Sequence, residues 1–172
     1  LLNTLKELFA NQYEASFCML NACIERCSES AWNALVGETL FCQVAFHTLL
    51  FADCYLGSNE AEVRQQPFHL SNKEFFRDYE ELEDRIPKLL YDKPSIQRYL
   101  EYCRHKAVQA IATETAEMLR APCGFPYRPF SRAELHVYNI RHIQNHAAQL
   151  GLRLTIDHHL EIPWVGSGWR AV

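Results

Sequence analysis

No run of eighteen or more apolar residues occurs anywhere in the 172, so no membrane-spanning helix is expected. The opening stretch LLNTLKELFANQYEASF is amphipathic rather than a basic region followed by an apolar core, so it does not read as a secretory leader. An excess of basic charge is missing too. Lys+Arg total 17 against 21 Asp+Glu, a net charge of −4, which leaves no electrostatic footprint for nucleic acid. The seven cysteines include no CxxC pair, and most fall within helical patterns. That usage reads as free thiols in a reducing cytosol, and a cytoplasmic location is expected. Cys23 and Cys27 are four apart, but their neighbours Leu20 and Ile24 make them core packing. Cys123, in the loop APCGFPYRPF, is the thiol expected to be exposed. There is no internal repeat and no low-complexity segment, and strand signals are scarce.

What is present suffices for a packed core. Hydrophobic residues make up 48% and charged residues 22%, an ordinary globular balance. The length fits one domain over residues 1–172. Four stretches carry the helical period. The first runs from about Leu2 to Cys27, with Leu5, Leu8, Phe9, Gln12, Ser16, Leu20 and Cys23 at three- and four-residue steps. The second, about Thr39 to Leu56, is apolar nearly all round, as suits a buried helix. The third opens at Pro94 and runs to about Leu119 through Ile96, Leu100, Cys103, Ala107, Ile111 and Met118. The fourth starts at Ser131, whose S-x-x-E spacing to Glu134 is a capping box, and continues to about Leu154. The connection 57–93, with Pro67 and Pro87, is expected to wrap the helices in short helical pieces. The tail TIDHHLEIPWVGSGWRAV should lie irregularly. The fold class expected is all-α, a four-helix bundle.

Eight histidines occur. His69, His105, His136, His158 and His159 read as solvated. His47 differs, since its stripe of Leu40, Val44, Leu50, Phe51 and Cys54 is of core type. His142 and His146, in RHIQNHAAQL, lie one helical turn apart, which places their Cβ atoms about 5–6 Å from each other. One ion with metal–nitrogen bonds of about 2.0–2.1 Å is within reach of both. Tyr138, Asn139 and Gln149 share that face, and Asn139 and Gln149 are placed to accept from the ring nitrogens a metal leaves free. A buried His47 would complete a three-nitrogen set with one position open, the pattern of catalytic zinc.

The stretches VAFHTLLFADCYL and RHIQNHAAQLGLRL resemble the DinB-like (YfiT-related) superfamily of metal-dependent four-helix bundles, and the resemblance extends over the whole chain. It implies that His47, His142 and His146 bind one divalent ion, zinc or nickel. It also implies a small-molecule substrate, with a low-molecular-weight thiol as a leading class, and a possible homodimer. Family members with assigned activities include thiol-dependent transferases and the mycothiol-dependent maleylpyruvate isomerase. The superfamily name reflects damage-inducible expression, not DNA chemistry.

Ile143 follows the first histidine of the pair, so the H-E-x-x-H base of zinc proteases is missing. Hydrolysis would need a base from Asp53 or Glu114, both of which read more simply as helix-surface charges. Activation of a thiol needs none, because coordination lowers the thiol pKa. Thiol transfer therefore stands slightly ahead of hydrolysis. The alternative is a non-catalytic metal- or ligand-binding module. The 57–93 connection and the 121–130 loop, with Arg128 and three aromatics, are the segments expected to line any mouth.

Overall fold

The computed structural model describes residues 1–170. The elements run α1 (Leu2–Arg26), α2 (Glu29–Trp32), β1 (Leu35–Val36), β2 (Thr39–Leu40), α3 (Phe41–Leu56), α4 (Glu60–Val63), α5 (Pro67–Ser71), α6 (Lys73–Phe76), a 3-10 turn (Glu80–Glu83), α7 (Lys93–Thr113), α8 (Ala116–Arg120) and α9 (Arg132–His158). The class is all-α; β1 and β2 form only a two-residue antiparallel hairpin, Leu35 opposite Leu40. Among the described residues no helix is long and apolar enough to cross a membrane.

The four long helices pack in a closed circuit: α1 and α3 each lie against both α7 and α9. Their inner faces bury Tyr13, Phe17, Leu20, Phe46, Leu49, Leu50, Tyr99, Leu100, Leu135 and Leu150. Caps fix the helix starts. Asp92 accepts from the Ser95 N–H at 2.9 Å, and Ser131 Oγ accepts from the Glu134 N–H at 3.2 Å. The far end of α3 is closed by Arg132, which donates to the carbonyls of Tyr55, Leu56 and Gly57 at 3.0, 3.0 and 2.7 Å. Those are carbonyls the helix cannot satisfy itself.

The expected third helix is broken. α7 stops at Thr113, because Glu114 turns to ψ 139 and brings its carboxylate inward to Arg132 and His136. Met118, expected on the inner stripe, falls on the separate α8 and is 45% exposed.

The connection 57–92 is a strap bound to α3, α7 and the α2 turn. Gln43 donates to the carbonyls of Pro87 and Leu89, both at 3.1 Å. The Trp32 indole donates to Tyr91 O at 2.7 Å, and the Tyr91 ring stacks on Phe46 with centroids 3.9 Å apart. His69 is the deepest tie. Expected to be solvated, it is 1% exposed, because Asp53 and Tyr79 satisfy both ring nitrogens, at 2.5 and 3.0 Å. Asp53 also accepts from Tyr99 at 2.8 Å and from Lys106.

Candidate metal centre

His47 lies midway along α3, and His142 and His146 lie one turn apart on the facing side of α9. The packing of α3 on α9 brings the three together. Ring centroids are separated by 5.4 Å (His47–His142), 4.8 Å (His47–His146) and 4.7 Å (His142–His146). One ring nitrogen from each lies within 4.8 Å of the other two, and the Nε2 atoms of His47 and His142 are 3.5 Å apart. All three side chains are half-buried.

The surrounding groups set the tautomers. His47 Nδ1 faces the carboxylate of Glu81, so it must carry the proton and donate, leaving a lone pair on Nε2. His146 Nδ1 donates to Gln149 Oε1 at 2.8 Å, which again leaves the lone pair on Nε2. His142 Nδ1 is buried with no partner. Burial, followed by the nearby His146 and His47, pushes the His142 pKa down to about 3. Burial and His47 hold His146 below the usual histidine value, while its bond to Gln149 acts in the opposite sense. The donor set is therefore three imidazoles, at least two of them turned with Nε2 toward the centre, and burial favours the neutral form of His142 and His146. An N3 set of this kind suits zinc or nickel.

Glu81 was not legible as a site residue. It sits in the 3-10 turn of the strap, 34 residues from His47. That turn is bracketed by two non-glycine residues in the left-handed region, Tyr79 (φ 55°) and Asp84 (φ 52°). Such conformations cost about 1–2 kcal/mol per residue, so the surrounding contacts must hold them. Glu80 supplies part of that hold, accepting from the N–H groups of Lys88 and Leu89 at 2.8 and 3.1 Å. No periodicity in the sequence points to Glu81; only the path of the strap does.

Gln149 meets its imidazole as expected. Asn139 does not: it is fully buried and donates to the Ala52 carbonyl at 3.0 Å. Both candidate bases lie elsewhere. Asp53 is six residues beyond His47, about 240° further round the helix, and is committed to His69, Tyr99 and Lys106. Glu114 is committed to Arg132 and His136. His136, expected to be exposed, is fully buried between Glu114 (3.0 Å) and the Tyr13 hydroxyl (3.1 Å). Cys123, also expected to be exposed, is 3% exposed and donates to the Arg128 carbonyl at 3.4 Å.

Three cavities border the centre. One of about 330 Å³ is lined by His47, His146, Gln149 and Glu81. A second, of about 630 Å³, runs along α9 past His142, Tyr138 and Trp164. The third, about 350 Å³, lies between the strap and the 121–130 loop, the two segments expected to form a mouth.

Comparison with known proteins gives no name to the arrangement. No family model matches the chain, and neither a curated protein nor a solved structure does.

Proposed function

We propose that His47, His142 and His146 hold one divalent metal ion, zinc or nickel, in a four-helix bundle of the DinB-like kind. We further propose that the chain is a metal-dependent enzyme acting on a small thiol or on water, with thiol transfer ahead of hydrolysis. The observation that carries the reading is the pair of fixed tautomers. Glu81 and Gln149 each accept a hydrogen bond from the Nδ1–H of a triad histidine, which leaves Nε2 of both available as ligands. Acceptors on the outer nitrogen of a ligating imidazole orient the ring and raise its basicity.

Bound there, a divalent ion supplies a positive centre that polarises a small ligand and lowers its pKa. The chain's own groups do the rest. Phe51 and Tyr55 pack their rings beside His47 and His142 (4.8 and 6.3 Å) and give that side an aromatic wall. Glu81 holds His47 with one carboxylate oxygen, while the other is buried without a partner. Of the carboxylates that could serve as a base, Glu81 is bound to His47, and Asp53 and Glu114 are committed to other partners. That favours a substrate whose own acidity suffices once it is polarised, which is the case for a thiol. The seven cysteines are all free and buried, which supports a reducing, cytoplasmic setting.

The test is cobalt substitution. A small thiol such as 2-mercaptoethanol should change the visible spectrum of the cobalt-loaded chain, and His146→Ala should abolish the change. A spectrum indifferent to thiols, hydroxide and azide would mean a closed site, and the chain would then be a non-catalytic metal-binding module.

A further inference from the structure

The cavity between the strap and the 121–130 loop contains charges of both signs that do not neutralise one another. Arg128 lines it from the loop, and Glu60 and Asp84 line it from the strap, beside Glu81, whose carboxylate is already bound to His47. Among the described residues none of Arg128, Glu60 and Asp84 takes part in an ion pair. The other half-buried arginines all do: Arg104 pairs with Glu14, Arg132 with Glu114, and Arg153 with Asp157.

Arg128 is held by tyrosines instead. Its guanidinium carbon lies 4.6 Å from the Tyr138 ring centre, 5.5 Å from that of Tyr127 and 5.9 Å from that of Tyr55. One terminal nitrogen donates to the Tyr55 hydroxyl at 3.2 Å, and the Nε–H is buried with no acceptor. Aromatic faces steady a cation without cancelling its charge. Opposite, the Tyr127 hydroxyl donates to Glu60 Oε2 at 3.1 Å, which fixes that carboxylate in the cavity wall. Phe51 and Tyr55 form the part of the wall that touches the histidine triad.

We propose that this cavity binds a small zwitterion of the amino-acid type. Its carboxylate is held by Arg128, its ammonium by Glu60 and Asp84, and its third substituent is directed at the triad. The guanidinium fork matches a carboxylate with two parallel hydrogen bonds, which a lone ammonium or hydroxyl cannot use. A dianion would be repelled by the carboxylates, and a simple cation would leave the Arg128 guanidinium without a counter-charge. The volume of about 350 Å³ falls within the usual range for small-ligand sites. What happens at the third substituent rests on the proposed metal function; the charge recognition does not.

The experiment separates the two. Calorimetry on the metal-free chain uses three sulfur-capped probes: S-methylcysteine, 3-(methylthio)propionate and 2-(methylthio)ethylamine. S-methylcysteine should bind about tenfold more tightly than either singly charged probe, the value of one charge-assisted contact. Arg128→Met should erase its advantage over the amine, while the amine's own affinity does not fall. Circular dichroism and cobalt stoichiometry, both unchanged, establish that the variant is folded. Equal affinities for the three probes, or a uniform loss in Arg128→Met, would overturn the subsite. A companion titration of the cobalt-loaded chain with cysteine reads the metal chemistry. If the probes discriminate by charge but cysteine leaves the cobalt spectrum untouched, the subsite stands and the metal-enzyme reading falls.

Discussion

Glu81 reaches from the strap to accept a hydrogen bond from the Nδ1–H of His47, joining a segment without helical period to α3. The contact makes a carboxylate–histidine pair aimed at the point where His142 and His146 converge. Glu81→Ala should therefore weaken zinc binding by about 10–100-fold, the usual cost of losing an outer-shell partner. Glu81→Gln, which keeps an acceptor oxygen, should lose less. Competition against a chromophoric chelator measures both, and wild-type affinity in Glu81→Ala would remove the residue from the site.

Stability of the metal-free chain should peak over a narrow range of pH. Burial lowers the pKa of His136, His142 and His146 below the ordinary histidine value of 6.5. The folded state then binds fewer protons than the unfolded one, so their contribution is complete above about pH 6.5 and is lost as pH falls. Asp53 and Glu114 are depressed by their partners against the opposing effect of burial, and their contribution goes at still lower pH. On the alkaline side burial pushes Cys23 and Cys54 up to about 12 from 9.0. Their contribution is complete below about pH 9 and is lost as pH rises toward 12. Urea midpoints should accordingly be highest between about pH 7 and 9 and fall on both sides. A midpoint that stays flat from pH 4 to 7 would contradict the burial of these histidines.

Asp53 should matter for stability and not for the metal. Asp53→Ala leaves His69 and Lys106 without their carboxylate, an uncompensated buried charge costing about 3–5 kcal/mol. In any folded fraction the zinc stoichiometry should remain that of wild type. Loss of metal with stability intact would reinstate Asp53 as a site residue.

Duplex DNA should not be bound in a salt-sensitive manner. The net charge of −4 gives little to displace counterions from phosphates. A mobility shift that is tight at 50 mM salt and vanishes at 200 mM would overturn this.

The four long helices and the candidate histidines could be singled out from spacing because each obeys a local rule, while the grouping of His47 with the other two leaned on the family resemblance. Apolar residues recur at three and four, His142 and His146 sit one turn apart, and His47 interrupts a core stripe. Glu81, His69 and His136 could not, because their environments come from chain segments distant in sequence. His136 reads as a surface residue until Glu114 leaves the helix to meet it, and His69 until the strap carries it to Asp53. The end of α7 was missed for the same reason: the apolar period continues past Thr113, but the pull of Arg132 and His136 on Glu114 is tertiary. Arg128 was legible as a rim residue; its tyrosine cage was not.

The most direct test of the three-histidine centre is elemental analysis of chain purified without nickel resin and equilibrated with zinc near pH 7.5. The account predicts one divalent ion per chain, with stoichiometric binding lost in each of His47→Ala, His142→Ala and His146→Ala while circular dichroism stays helical. A full equivalent retained in any one of the three variants, or no ion bound by the wild type, would contradict it.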